Sequence, residues 1–153
     1  MQRLTRRRIV LAVIGVVCLV AFIRVWDLSS QPTSGDGWRL LARQRAVAGS
    51  EPTIPLADAA ALANTWQKLR LHGEPQVDLT TYAVYWLTTS GTIGCPSRLD
   101  DVTFDPADHV IVGRFSLGLT SGCDHAKVPD SFLVAIDRAR LPAEPFQVRL
   151  TGP

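Results

Sequence analysis

The chain lacks the sequence motifs that mark the common enzyme classes. It contains no G-x-S-x-G nucleophile elbow, no phosphate-binding loop and no dinucleotide-binding glycine pattern. Cysteine and histidine occur only three times each, and neither follows the C-x-x-C or H-x-x-x-H spacing of zinc sites. These absences favour a binding protein over an enzyme, and we predict no cofactor and no bound metal ion.

Lysine is also scarce, because only Lys68 and Lys127 accompany the arginines. Such a bias is usual where coding DNA is rich in G and C, and it favours a bacterial source. Five arginines lie before residue 27, so residues 27–153 carry eleven Lys and Arg against fourteen Asp and Glu, a net charge of −3. Binding to nucleic acid needs a concentrated cationic surface, so this charge balance excludes nucleic acid as the partner.

One long apolar run, residues 9–23, lies near the N-terminus. As a helix it reaches about 22 Å, against about 30 Å for the hydrocarbon core of a bilayer. Arg24 can extend its guanidinium to the headgroups and Trp26 is typical of the interface, so residues 9–26 can span the bilayer. We predict an uncleaved anchor. A cleaved signal peptide is the alternative, because the run is short, although no A-x-A cleavage site follows it.

The charge ahead of the apolar run predicts its orientation. Four arginines precede it: Arg3, Arg6, Arg7 and Arg8. The positive-inside rule then places residues 1–8 in the cytoplasm and the C-terminal part of this single-pass plasma-membrane protein outside it. Residues 27–37 are small, polar and turn-forming, which predicts a flexible linker before an extracytoplasmic domain at residues 38–153.

The first half of the domain combines a strand with a helix. Trp38, Leu40 and Ala42 alternate with Arg39, Leu41 and Arg43, which predicts a half-buried strand, with a helix as the alternative. Pro55 and Gly73 then bracket a segment whose apolar residues recur every three or four positions and predict an amphipathic helix. These residues are Leu56, Ala59, Leu62, Trp66 and Leu69.

The second half of the domain is rich in strands. Residues 82–89 are apolar on both faces, which predicts a central strand covered on both sides. Residues 102–104 and 109–117 flank an Asp-Pro turn and predict a hairpin. Two later runs alternate with inward residues Phe132, Val134 and Ile136, and Phe146, Val148 and Leu150. We predict an α+β, mainly antiparallel β domain of five to six strands, a sandwich or open barrel, with one packed helix.

Two cysteines, Cys95 and Cys123, lie outside the apolar run. An even number of cysteines in an oxidising compartment favours a disulfide. This bond would join the loop from Ser90 to Pro96 with the loop from Leu119 to His125. These loops are the predicted functional region, with Ser90, Gly94, Asp124 and His125 as candidate residues.

Two alternatives use the same loops. Cys95, Cys123, Asp124, His125 and His109 could bind a metal ion or help to hold a small ligand, although their spacing matches no established zinc pattern. An envelope hydrolase could instead use Ser90 or Ser121 with His125 and Asp124, although no nucleophile elbow is present. The simplest interpretation assigns neither histidine a function, with His109 at the end of a strand and His125 in a solvent-exposed loop.

The order of these elements resembles that of a known domain. The segments at Trp38, Trp66, residues 75–79, residues 82–87 and residues 128–138 together resemble the C-terminal domain of bacterial protease-complex subunits and of small secreted or anchored β-rich proteins. That resemblance implies a non-enzymatic module that binds or steadies another extracytoplasmic protein. The chain departs from it at Gly94, Cys95 and Pro96, where the family tends to have Gly-Gly-Tyr.

We therefore expect a membrane-anchored extracytoplasmic binding or scaffold module. Its expected partners are the lipid bilayer, through residues 9–26, and a protein of the cell envelope.

Overall fold

The structure is a computed structural model that describes residues 33–118 and 122–152. The predicted cytoplasmic residues 1–8 and the predicted anchor at residues 9–26, including Arg24 and Trp26, lie outside the described residues. In the described ranges, no helix combines the length and the apolar character needed to cross a bilayer.

The described residues form a mainly β domain with one α-helix, which confirms the predicted α+β class. Eight strands occur in them, more than the predicted five to six, because two short strands, β1 and β3, join the sheet. The strands are β1 (Ser34–Gly35), β2 (Trp38–Arg45), β3 (Thr53–Leu56), β4 (Tyr82–Thr92), β5 (Ser97–Asp105), β6 (Val110–Leu117), β7 (Lys127–Asp137) and β8 (Gln147–Thr151), with helix α1 at Ala59–Lys68. Ser34 and Gly35 belong to the predicted linker, yet they pair with Arg39 and Trp38.

The strands form two sheets. Sheet A has five strands in the order β1-β2-β7-β4-β3, all antiparallel, and sheet B has three in the order β5-β6-β8. β5 and β6 form the predicted antiparallel hairpin. β8 instead runs parallel to β6, because the chain crosses to sheet A as β7 before it returns.

Sheet A is the middle of three layers. Alternate residues of β4 point to its two faces, so Tyr85 and Leu87 join the core against sheet B, whereas Val84 and Trp86 join the core beneath α1. Phe132, Val134 and Ile136 lie in the core between the sheets, and Phe146, Val148 and Leu150 pack against it, as predicted. Residues 82–89 are therefore a central strand covered on both sides.

A β-bulge in β2 changes which side chains face the core. Trp38 pairs with Ile136 and Leu40 pairs with Val134, but the register then shifts and Ala42 pairs with Leu133. The predicted strand is confirmed, whereas its simple alternation is wrong beyond Leu40. One extra residue at Leu41 places both Leu41 and Ala42 beside the core under α1. Arg43 and Arg45 consequently lie on the face that looks toward sheet B.

Helix α1 begins later than the predicted start. Pro55 and Leu56 belong to edge strand β3, and Asp58 is the N-cap, its side chain accepting a 2.8 Å hydrogen bond from the Ala61 amide. The predicted stripe is shifted by two positions at its start, because Ala59 is exposed while Ala61 and Leu62 pack toward the sheet. The periodicity identified the helix, and the capping aspartate sets its first turn.

Asp78 organises the turn that leads into β4. Its carboxylate accepts 2.7 Å hydrogen bonds from the hydroxyls of Thr81 and Thr80 and a 2.9 Å bond from the Thr80 amide, which together lower its pKa from 3.8 to about 2. These bonds therefore stabilise the fold above pH 3.8, and their contribution is lost as pH falls through 2. An NMR titration of the side-chain carboxyls should give Asp78 a midpoint near 2, and Thr81→Val should raise it. A midpoint at the ordinary value would contradict the turn geometry.

Candidate functional site

The candidate site lies at the end of the domain where Cys95 and Cys123 form the predicted disulfide. Their Cα atoms are 5.2 Å apart, a distance normal for such bonds. Cys95 is fully buried, whereas Cys123 is exposed. The bond joins the turn between β4 and β5 to the connection between β6 and β7, so the two predicted loops meet at one end of the domain. Residues 119–121, including Ser121, lie outside the described residues.

The turn between β4 and β5 is tightly closed around Ile93. Thr92 and Cys95 exchange two backbone hydrogen bonds, of 2.9 and 3.1 Å, which leaves Ile93 and Gly94 at the tip. Arg45 also donates from Nη2 to the Thr92 carbonyl (2.7 Å) and from Nη1 to the Ile93 carbonyl (3.4 Å). Ile93 is 58% exposed, and no other large apolar residue in the described ranges is as open to solvent.

A buried charge cluster lies beneath this turn. Asp130, near the start of β7, has no exposed surface. Its Oδ2 accepts a 2.7 Å hydrogen bond from the Ser97 amide, and its Oδ1 lies 3.2 Å from Arg45 Nε and 3.6 Å from Arg43 Nη2. One carboxylate therefore joins β2, β7 and the first residue of β5. Arg45 extends the same cluster to the tip of the turn.

Packing around the carboxylate leaves no room for another side chain. A Cβ atom on Gly91 would lie 2.5 Å from Asp130 Oδ2 and 2.7 Å from the Ser97 nitrogen. Glycine is thus required where β4 passes the cluster. The Arg43 guanidinium lies 5.4 Å from the Phe132 ring centroid, and burial lowers the Arg43 pKa, with Arg45 acting in the same direction and Asp130 opposing it.

The four candidate residues fall in two places. Gly94 packs against the segment that carries Cys123, since a Cβ atom there would lie 2.5 Å from the Gly122 carbonyl oxygen. Asp124 and His125 are exposed on that segment, where Asp124 accepts a 3.4 Å bond from the Ala126 amide. Ser90 is an exposed residue of β4 that pairs with Pro129. The structure therefore brings Gly94 close to the second loop and leaves Ser90 on the strand.

The predicted alternative of a metal site has no sulfur ligands, because Cys95 and Cys123 are bonded to one another and neither is a thiolate. His109 lies instead at the turn between β5 and β6, with φ of 54° and its Nδ1 2.8 Å from the Ala143 carbonyl oxygen. Across residues 33–118 and 122–152, no three His, Cys, Asp or Glu side chains group as metal ligands would.

Asp130, Arg43 and Arg45 were not among the functional residues predicted from the sequence. A signal was present, since Asp130 lies two positions before the inward residue Phe132 and so shares its face. The two arginines carried no such signal, because only the bulge at Leu41 turns them inward.

Comparison with known proteins found no matching family, no matching curated protein and no matching solved structure.

Proposed function

We propose that the chain is a membrane-anchored, non-enzymatic binding module that engages a protein of the bacterial cell envelope through its disulfide-bridged end. Residues 9–26 hold the domain at the outer surface of the plasma membrane in this proposal. The observation that carries it is Ile93, an apolar residue that is 58% exposed on a turn restrained by hydrogen bonds and a disulfide. The resemblance to non-enzymatic domains of protease-complex subunits favours the same kind of function.

The restraint on Ile93 matters more than its exposure, because single exposed apolar residues are common. Two backbone hydrogen bonds between Thr92 and Cys95 close the turn, and Arg45 donates hydrogen bonds to two of its carbonyls. The disulfide links the turn to Cys123. An apolar side chain held in place loses less conformational entropy when it enters a partner's pocket. Such rigid apolar anchors are typical of the few residues that supply most of the binding energy of an interface.

Charges beside the turn define the partner surface further. Lys127 is exposed and pairs with Thr92 across the sheet, and Arg45 keeps part of its side chain exposed. The acid that faces Arg45, Asp130, is completely covered. Asp124 on the neighbouring segment is exposed, so the proposed partner surface is an apolar pocket whose acidic groups face Arg45 and Lys127.

Ile93→Asp in the full-length chain should weaken partner binding by about 30-fold, the loss expected when an interface anchor worth about 2 kcal/mol is removed. Binding is measured by co-purification from crosslinked envelopes at several expression levels. Ala107→Asp is the matched control, because Ala107 is an exposed turn residue at the opposite end of the β5–β6 hairpin. The control should bind as the unchanged chain does.

A photo-crosslinking residue at position 93 distinguishes the possible occupants of this surface. The proposal requires one discrete protein adduct from position 93 that position 107 does not form. Adducts to lipid alone, no adduct, or the same protein adducts from both positions would contradict it. Unchanged thermal unfolding of Ile93→Asp establishes that the variant is folded.

A further inference from the structure

A cleft lies beside the half of strand β4 that is farther from the Ile93 turn. This open cleft of about 620 Å³ is lined by Pro55, Tyr85, Glu144, Pro145 and Phe146. Its volume is within the range of ligand-binding cavities, about 300–1,000 Å³. Thr92 lies seven positions after Tyr85 on the extended strand, or about 23 Å, so the cleft is distinct from the Ile93 turn.

Two parts of the fold create the cleft. Pro55 of β3 lies opposite Tyr85 of β4, and both belong to the edge region of sheet A. The segment before β8 approaches from the other side, held by Leu141 and Phe146, which pack against the core between the sheets. The rings of Pro55 and Pro145 are exposed, and Phe146 is half-buried.

The polar groups of the cleft are Tyr85 and Glu144. The Tyr85 side chain is only 7% exposed, and burial raises its pKa, an effect that Glu144 reinforces and Arg138 opposes. Its hydroxyl therefore stays protonated at neutral pH and can donate a hydrogen bond. Glu144 is exposed and supplies a negative charge at the rim. Arg138 is not among the residues that line the cleft, and its Nε donates to the Leu79 carbonyl at 3.0 Å.

Pairing of a peptide with edge strand β3 is blocked at the cleft. Pro55 has no amide hydrogen, and a proline in an edge strand prevents another strand from extending the sheet there. An occupant must therefore be recognised by its side chains and by isolated hydrogen bonds. The apolar rings of Pro55, Pro145 and Phe146 can pack against an aliphatic chain, and the carboxylate of Glu144 at the rim can pair with a cation.

We propose that this cleft binds a lysine or arginine side chain carried by an extended segment of a partner protein. The aliphatic stem packs between the rings of Pro55 and Pro145 and against Phe146, and the cationic end reaches Glu144. The Tyr85 hydroxyl donates to a carbonyl oxygen of the bound segment. This inference stands on different residues from the Ile93 surface and does not rest on the proposed function.

The test uses the full-length chain in detergent micelles with 3-fluorotyrosine in place of tyrosine. The chain has two tyrosines, so ¹⁹F NMR should give two resonances, and Tyr85→Phe identifies that of Tyr85. The probe is acetyl-Pro-Lys-Pro-amide, and its norleucine analogue keeps the stem but lacks the charge. The lysine peptide should shift the Tyr85 resonance saturably, and Glu144→Gln should weaken its binding about fivefold. Glu74→Gln, an exposed acid on another loop, is the matched control and should leave binding unchanged.

The norleucine peptide separates the contribution of the charge from that of the stem. It should bind about fivefold more weakly than the lysine peptide, and Glu144→Gln should leave its binding unchanged. Equal binding of the two peptides, or a lysine peptide insensitive to Glu144→Gln, would overturn the assignment of the cation to Glu144. Absence of any Tyr85 shift at millimolar peptide would overturn the cleft as a binding site. The peptide titration reports only on the cleft, so its result does not depend on whether Ile93→Asp loses partner binding.

Discussion

Asp130→Asn is expected to lower the free energy of unfolding by about 3 kcal/mol, the lower end of the cost of removing one partner from a buried ion pair, because Arg43 and Arg45 keep part of their side chains exposed. The substitution keeps the size of the side chain but removes the charge that faces Arg43 and Arg45 at 3.6 and 3.2 Å. Both guanidinium groups would then lie together without their acid in a partly buried space. For a domain with a total stability of about 5–15 kcal/mol this is a large fraction.

Urea unfolding followed by tryptophan fluorescence measures this effect, because Trp38 and Trp86 are buried in the two cores. Asp124→Asn provides the control, since Asp124 is exposed on the neighbouring loop and should change stability by less than about 0.5 kcal/mol. A loss below about 1 kcal/mol for Asp130→Asn would mean that the Asp130 cluster contributes little to the fold. The Ser97 amide would then be the main partner of the Asp130 carboxylate.

Removal of the disulfide should have an effect of similar size. Cys95 and Cys123 are 28 positions apart, and the chain-entropy relation gives about 3.6 kcal/mol for a loop of this length. The double variant Cys95→Ala/Cys123→Ala should therefore unfold at a clearly lower urea concentration. Its turn should also be less restrained, so we expect weaker partner binding even with Ile93 unchanged.

A thiol count accompanies this experiment. Cys95 and Cys123 should react with an alkylating reagent under denaturing conditions only after reduction, and reductant should reproduce the instability of the double variant. Cys18→Ala is the matched control, because Cys18 belongs to the apolar run outside the domain. In the Cys18→Ala chain, two reactive thiols without reductant would contradict both the disulfide and the predicted oxidising compartment.

The stability losses caused by Asp130→Asn and by Cys95→Ala/Cys123→Ala should not be additive. Cys95 and Ser97 are two positions apart, and a Cβ atom on Gly91 would meet the carbonyl of Cys95, the amide of Ser97 and the carboxylate of Asp130. The disulfide and the charge cluster therefore restrain the same few residues of backbone. Groups that share a network show interaction energies of about 0.5–3 kcal/mol. A triple variant compared with its parents measures this coupling.

Most of the strands were predictable because their side-chain patterns are local. Phe132, Val134 and Ile136 alternate in one segment, and the Asp-Pro turn identifies its hairpin within a few residues. Strand β3 was missed because its four residues precede the helix directly and include Pro55, which sequence patterns associate with a helix start. The parallel pairing of β8 with β6 depends on a crossover through the other sheet, which no local pattern records.

The candidate site was only partly predictable. The two cysteine-bearing loops were identified from their composition, and their junction at one end of the sheets is confirmed. Ile93 could have been recognised as the apolar residue at the tip of the first loop. The cleft at Tyr85 was not predictable, because Pro55 and Phe146 lie about 90 positions apart in the chain and meet only when both sheets are complete.

The amino-acid sequence by itself determined the α+β class, the central strand and the pairing of Cys95 with Cys123, because periodicity and cysteine number are properties of short segments. It also carries the prediction of an anchor at residues 9–26. Only the tertiary structure decided that Arg43 and Arg45 face a buried Asp130. The physical reason is the bulge at Leu41, since one extra residue reverses the faces of every residue after it, and its position is set by pairing with β7, far away in the chain.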